Sequence, residues 1–502
     1  MERDAMDEFI ACSIILEKEE EEASTEIFEP VTVASMSFKD VVINPALPKK
    51  DREDLRGVVK EFAQIFSDIP GKSKTVKHHI RLTSNIPVKI RPYAIPHHYV
   101  SKVIAEIEEL ERLKIIQRST SNYSSPMVII QKKDGSLRIC IDYRKLNEVT
   151  IIDAEPIPRT DDLIACMQHN SIFSKLDMTK GYYQIPMTAS SKHLTAFSTP
   201  KGLYEFNYMP FGLVNAPATF VRMTRSLLKD IPNIATYIDD MCVYTATVRE
   251  HLNILSTVFS RIQSNGLTIK PTKCVIGFNE VHFLGYKISQ GIQATDETIV
   301  QKIMNISPPK TRKHVQALLG LINYYAKFIP CFSDKTAVLS SLLKKGKGTK
   351  IIWSENCQRI LEEIKAEFSK EPILRLPNFD LPFIIRTDAS KAAISGCLGQ
   401  MVDGIFHPCL YISRKLNNAE KNYSTVELEA LAVVYTVSKL KTYLLGRQFT
   451  IQSDNQPLKV ITTGIPKNAR IARWALILQD YKFVVTHIPG GKNCLADLLS
   501  RL

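Results

Sequence analysis

Ala235 to Tyr244 reads ATYIDDMCVY, two short apolar stretches around the carboxylate pair Asp239-Asp240. The β-branched and aromatic residues on either side favour strands, and the pair sits where a hairpin would turn. Ser171 to Asp177 is a second strand pattern, ending in Ser174-Lys175-Leu176-Asp177. Aspartate is a poor strand former, and a charge at a buried strand end needs a partner or a cation. Taken singly, an Asp-Asp pair is ordinary turn chemistry, and an Asp after a strand is an ordinary helix cap. Brought together, such carboxylates repel unless divalent metal neutralises them. That is the arrangement two-metal phosphoryl transfer requires.

The elements around these strands carry readable signals. Asp54 to Phe66 reads as a short helix, and the chain around Ile90, Pro92, Ile95 and Pro96 as extended. After Pro96 the spacing of Val103, Ile107, Leu110 and Leu113 predicts a helix. Met127 to Gln131 and Leu137 to Asp142 form a strand pair across Lys132-Lys133-Asp134-Gly135, so the hairpin tip is cationic. Pro210-Phe211-Gly212 is a turn; Asn215 then offers a helix cap, with Pro217 in the first turn. Leu252, Leu255, Val258, Phe259 and Ile262 mark one face of a helix that stops at Gly266. Residues 291–375 look mostly helical, including His314 to Phe328 and Glu355 to Phe368.

Near Pro377 the pattern changes to strands around a central helix from Thr425 to about Leu445. A second acidic set lies here. Pro382 to Asp388 is an apolar strand ending in Thr387-Asp388, and Phe449 to Asp454 is another ending in Asp. Glu429 sits on the apolar helix, where a glutamate is costly unless exposed or bound. Asp497 follows Gly490-Gly491 on a short terminal helix.

Composition sets the class. The 502 residues are 44% hydrophobic and 23% charged, which fits a folded chain of several domains. Mean hydropathy is −0.07, and no apolar run approaches the roughly 20 residues of a membrane span. Glu2, Asp4, Asp7 and Glu8 against Arg3 leave the early apolar run, Phe9 to Leu16, without the positive region of a signal peptide. Ten cysteines are scattered singly, which argues against a zinc module and against a secreted disulfide scaffold. An intracellular setting follows as the expectation, cytoplasmic or nuclear. Net charge is +13, but residues 1–50 hold 12 acidic and 5 basic side chains, net −7. The remainder, 60 basic against 40 acidic, carries +20 and favours polyanions such as nucleic acid. Glu17 to Glu22 is nearly all carboxylate and reads as a solvated leader.

Residues 130–290 resemble the reverse transcriptase of Ty3/Gypsy-type retroelements. The stretches that carry the resemblance are KKDGSLRICIDYRKLN (132–147), KLDMTKGYYQIPM (175–187), TAFSTPKGLYEFNYMPFGLVNAPATF (195–220), YIDD (237–240) and FLGY (283–286). Further on, RTDAS (386–390), SRKLNNAEKNYSTVELEALAVV (413–434), RWALILQDYKF (473–483) and HIPGGKNCLADLLSR (487–501) are similar to the ribonuclease H of the same elements. The resemblance implies a multidomain chain of α+β and α/β class: a right-hand polymerase with fingers, palm and thumb, followed by a ribonuclease H-like domain. It implies an acidic, flexible leader at 1–54, fingers and palm at 55–290, a helical thumb or connection at 291–375, and the ribonuclease H-like domain at 376–502.

By the same resemblance Asp177, Asp239 and Asp240 match the metal-binding aspartates of the polymerase, the first two being the firmer ligands. Asp388, Glu429, Asp454 and Asp497 match those of the nuclease. Glu427 is a decoy, since alignment on Leu431-Ala432-Val433 favours Glu429. Tyr182 matches the aromatic residue under the incoming sugar, where a ring leaves no space for a 2′-hydroxyl. Lys133 and Arg138 match the cations that hold the triphosphate, with Lys132 an equal alternative to Lys133. Phe211 stands at a substrate-binding position where retroviral relatives carry glutamine. Lys270 or Lys273 could protonate pyrophosphate, but solvated surface lysine is the favoured reading of both.

The implied activities are RNA-directed DNA synthesis and cleavage of RNA in a hybrid. The implied cofactor is Mg²⁺ or Mn²⁺, two ions per site. The implied partners are an RNA template, a DNA primer, an RNA–DNA hybrid and dNTPs, with no membrane. No D-[ST]-G tripeptide and no His-His-Cys-Cys cluster occurs, so neither an aspartic protease nor an integrase is expected in these residues. The sequence reads as a polymerase-nuclease fragment. The competing reading is a decayed or domesticated copy that only binds nucleic acid.

Overall fold

The computed structural model describes residues 37–131, 137–343, 351–370, 373–453 and 469–488. They divide into two compact units that meet between Leu284 and Gly285. No helix among the described residues is long and apolar enough to cross a membrane.

The first unit is built on a five-stranded sheet. Its strands are β1 (Val42–Ile43), β4 (Ile172–Asp177), β5 (Ile234–Tyr237), β6 (Asp240–Thr245) and β7 (Val275–Phe278), in the order β1-β7-β4-β6-β5. Only the β1–β7 pair is parallel. Folded structure therefore begins upstream of residue 55, because β1 pairs with β7 and helix α1 (Lys49–Glu61) packs beside it. The cationic hairpin forms as β2 (Met127–Gln131) and β3 (Leu137–Ile141); its tip lies outside the described residues. Helix α2 (His97–Arg112) starts directly after Pro96 and buries Val103, Ile107 and Leu110, as the spacing predicts.

Helix α3 (Ala216–Leu227) starts after Asn215, but the Asn215 side chain does not cap it. It instead accepts from the Asp153 amide at 2.9 Å and donates to the Ile151 carbonyl at 2.8 Å. A long-range partner has outcompeted the local one. Helix α4 (Val248–Ser264) is capped by Thr247, whose side chain accepts from the Glu250 amide, and ends just before Gly266 at φ +71°. Its buried face is His251, Ile254, Leu255, Val258, Phe259 and Ile262. Leu252, expected on that face, is only partly buried, and His251 takes the inner position. Phe259 packs edge-on against Phe62 and Phe66 with ring centres 6.0 and 5.5 Å away. Burying such a ring contributes on the order of 2–3 kcal/mol.

The second unit opens with β8 (Tyr286–Ser289) and β9 (Ile292–Thr295), joined later by β10 (Ile373–Arg375). Between them lie mostly helices, including α5 (Arg312–Tyr324) and α6 (Glu355–Ser369). A mixed sheet follows, of β11 (Phe383–Ala389), β12 (Ala393–Val402), β13 (Ile405–Lys415), β14 (Gln448–Ser453) and β15 (Lys482–His487). Its order is β13-β12-β11-β14-β15, with β11, β14 and β15 mutually parallel. Helix α7 (Thr425–Lys439) and α8 (Ala469–Leu478) pack together, and α7 lies on β11 and β12. Gly396 of β12 is required there, because a Cβ would stand 2.2 Å from the Thr436 hydroxyl of α7.

Two fully buried histidines make the first unit acid-sensitive. His78 bonds Thr219 at 2.8 Å, and burial, followed by the neighbouring His79, lowers its pKa to about 4. His251 is lowered to about 4 by burial. Unfolding releases both to titrate near 6.5, so the unfolded chain takes up protons first. Their contribution is present above about pH 6.5 and is lost as pH falls towards 4, on the order of 2–3 kcal/mol each over the whole window. The urea midpoint of the first unit should therefore drop clearly between pH 7 and pH 5. An unchanged midpoint would contradict the neutral, buried state of both rings.

Candidate active sites

Register brings the first set of carboxylates together. In the antiparallel β4–β6 ladder Asp177 stands directly opposite Asp240. Tyr237 of β5 also pairs with Asp240, leaving Ile238 and Asp239 as a two-residue turn. Ile238 is held at φ +53°, where a β-branched residue is strained, and this tight turn projects Asp239 beside the other two. Asp239 remains reachable by solvent. Desolvation by its surroundings, then the charges of Asp240 and Asp177, push its carboxyl up.

Two lysines answer this negative charge. Lys273 Nζ contacts Asp177 at 3.1 Å from a largely exposed position. Lys175 Nζ contacts Asp240 at 3.1 Å. Sequence reading passed over Lys175, although strand periodicity puts it on the same face as Asp177, two residues away. Lys270 reaches the site by its backbone, its amide donating to the Asp177 carbonyl at 2.8 Å.

Tyr182 lies beside this edge. Its ring centre is 4.9 Å from that of Phe211 and 5.6 Å from that of Phe220. Burial, then Asp239, raises its phenol, so it stays protonated at neutral pH. Phe211 thus acts through an aromatic contact with Tyr182 in place of a polar one. Arg138 is on β3 opposite Ile130, which places its backbone only. Lys132 and Lys133 lie outside the described residues. In FLGY, Tyr286 stacks on Tyr324 at 5.4 Å, with Lys327 Nζ 4.2 Å from its ring centre.

In the second set, Asp388 is the penultimate residue of β11 and Glu429 lies in the second turn of α7; both are buried. Their elements pack against each other. Asp454 directly follows β14, the strand paired with β11, but it and Asp497 lie outside the described residues. Glu427 is engaged elsewhere. It closes the capping box with Ser424 and accepts from Arg470 at 2.6 Å, while Arg470 covers the Tyr423 ring at 3.8 Å. This separates the two glutamates by place: Glu427 builds the helix start, and Glu429 is buried in the second turn.

Among the described residues no three His, Cys, Asp or Glu side chains already converge as a finished metal site. The donors nevertheless suit a hard divalent cation. Asp177, Asp239 and Asp240 offer only carboxylate oxygens, and their mutual repulsion is what such an ion relieves.

Comparison with known proteins agrees with this geometry. Residues 130–288 match the family described as reverse transcriptase (RNA-dependent DNA polymerase). Residues 378–481 match the RNase H-like domain found in reverse transcriptase. A retrovirus-related Pol polyprotein from transposon 297 of Drosophila melanogaster is 36% identical over 91% of this chain and 44% of its own length. The transposon Tf2-3 polyprotein of Schizosaccharomyces pombe is 32% identical over 94% of this chain and 36% of its own. The chain thus spans less than half the length of these two relatives. Among solved structures, a foamy viral protease-reverse transcriptase in complex with dsDNA is 25% identical, with TM-score 0.79 over 88% of this chain and 94% of that one. The chain therefore groups with the Pol polyproteins of Gypsy-type retrotransposons, carrying a reverse transcriptase domain followed by an RNase H-like domain.

Proposed function

We propose that the chain is an RNA-directed DNA polymerase that also cleaves RNA in RNA–DNA hybrids. The observation that carries this reading is the β4–β6 register, which sets Asp177 against Asp240 with Asp239 at the adjoining turn. A primer 3′-hydroxyl attacks the α-phosphate of a dNTP and pyrophosphate leaves. Asp177, Asp239 and Asp240 would hold two Mg²⁺ or Mn²⁺ ions, which supply charge neutralisation and ease deprotonation of the attacking hydroxyl. Lys273 and Lys175, which pair with Asp177 and Asp240, would be free to turn to the phosphates once metal neutralised those carboxylates. Lys273 then faces the departing pyrophosphate. Lys133 and Arg138 hold the triphosphate by charge-assisted bonds. The Tyr182 ring, braced by Phe211 and Phe220, bars a 2′-hydroxyl.

At the second site Asp388, Glu429, Asp454 and Asp497 would hold two divalent ions, which would supply activation of the water that attacks an RNA phosphodiester. The template and primer are tracked through phosphate contacts, since base pairing supplies the sequence. We place the protein inside the cell, in the cytoplasm or nucleus. Cys166, Cys242 and Cys274, which form no disulfide among the described residues, support this.

The direct test uses the purified chain, a primed RNA template, dNTPs and Mg²⁺. Asp239→Asn should abolish extension and leave hybrid cleavage, and Asp388→Asn should do the reverse. A wild-type chain that binds the template but extends nothing with either metal favours the binding-only reading. Glu429→Gln should abolish hybrid cleavage. Glu427→Gln should retain cleavage and cost about 1 kcal/mol of stability through the weakened helix start, read from the urea midpoint. Tyr182→Ala should raise ribonucleotide incorporation at least tenfold relative to dNTPs, read by single-nucleotide extension; unchanged discrimination would remove the ring from the sugar site.

A further inference from the structure

The mechanism leaves unused His251 of α4, a buried titratable group packed against the polymerase sheet. Its ring is fully enclosed, as are Ser174 of β4 and Thr245 of β6. Nε2 lies 2.6 Å from the Ser174 hydroxyl, and Nδ1 lies 2.9 Å from the Thr245 hydroxyl. Each hydroxyl has one further partner. The Gly277 amide of β7 donates to Ser174 Oγ at 3.0 Å, and Thr245 Oγ1 donates to the Thr247 carbonyl at 3.0 Å.

These end groups fix every proton between them. An amide can only donate and a carbonyl can only accept. Thr245 spends its proton on Thr247, so it must accept from Nδ1–H. Ser174 accepts from Gly277, so its own proton goes to Nε2. The ring is therefore neutral, with its proton on Nδ1, and the bonds run one way from Gly277 to Thr247. The opposite tautomer would set two acceptors, Nδ1 and the Thr247 carbonyl, against the single Thr245 proton and leave one buried lone pair unmet, which is costly. Burial lowers the ring to about 4, in keeping with a neutral imidazole.

The two hydroxyls also report register. Thr245 stands opposite Ile172, and Ser174 opposite Val243, so they are diagonal neighbours on one sheet face. A rigid imidazole spans that diagonal only in this register. A slip of β4 by one residue would turn Ser174 to the face away from Thr245 and likewise part Asp177 from Asp240. Gly277 joins a third strand. Between Val275 and Phe278 the β7–β4 ladder shifts by one residue, and Gly277 at φ +75° turns its amide to Ser174.

We infer that His251 is a positioning residue for nucleotidyl transfer: bridging Ser174 and Thr245, it holds β4 and β6 in the register that sets Asp177 opposite Asp240. This rests on the polymerase reading above. Thr245→Val keeps the shape and removes the acceptor. It should lower kcat for dNTP addition about tenfold, with KM for dNTP within about twofold and hybrid cleavage unchanged. Thr245→Ser, which keeps the hydroxyl, should restore kcat to within about twofold of wild type. Wild-type kcat in Thr245→Val, or no rescue by serine, would overturn the assignment. Independently, ¹⁵N spectra of the histidine-labelled wild-type chain at pH 7 should show His251 neutral with its proton on Nδ1; a proton on Nε2, or on both nitrogens, would overturn it. This second measurement needs no substrate, so it can sink the inference even where failed extension has already removed the polymerase reading.

Discussion

A hydrogen-bonded ladder between β4 and β6 carries the polymerase site, and its register is the constraint on which the other features depend. Side chains alternate along a strand, so Asp177 and Asp240, standing directly opposite each other, share a face and are nearest cross-strand neighbours. The turn after Tyr237 then has two residues to return the chain, and Asp239 is one of them. Three carboxylates reach one sheet edge through backbone geometry, before any ligand is considered. The opposite face, where His251, Ser174 and Thr245 meet, is closed against water.

Electrostatics follows from that crowding. Like charges gathered at one edge are unfavourable, and the protein offsets this with lysines on Asp177 and Asp240. Asp239 faces the others at the open tip, and its carboxyl is the one pushed upwards. The nuclease domain handles the same problem differently. Asp388 and Glu429 are buried on packed elements, and Arg470 answers Glu427 at the start of the same helix.

Much of this was legible from residue pattern alone. Strands ending in Asp177 and Asp388, the hairpin around Asp239-Asp240 and the helix bearing Glu429 all follow from local periodicity and turn chemistry. The helical character of the stretch between the two domains follows similarly, although its helix at Arg312–Tyr324 starts two residues before the expected His314, capped by Thr311. What escaped reading depends on partners far along the chain. Asn215 looks like a helix cap until residues 151–153 arrive to claim its side chain. Leu252 looks like a core residue because a histidine beside it scores as polar; only two hydroxyls, 77 and 6 positions away, make His251 the better inner residue. Lys175 and Lys273 read as surface charge until the fold sets carboxylates before them.

Ile238 carries a final consequence. A β-branched residue in the left-handed region costs roughly 1–2 kcal/mol, and the hairpin accepts that cost at the position next to Asp239. Few backbone conformations satisfy a two-residue return between strands already pinned in place. The carboxylate at the apex is thus aimed by a stiff, stressed bend with little freedom to wander.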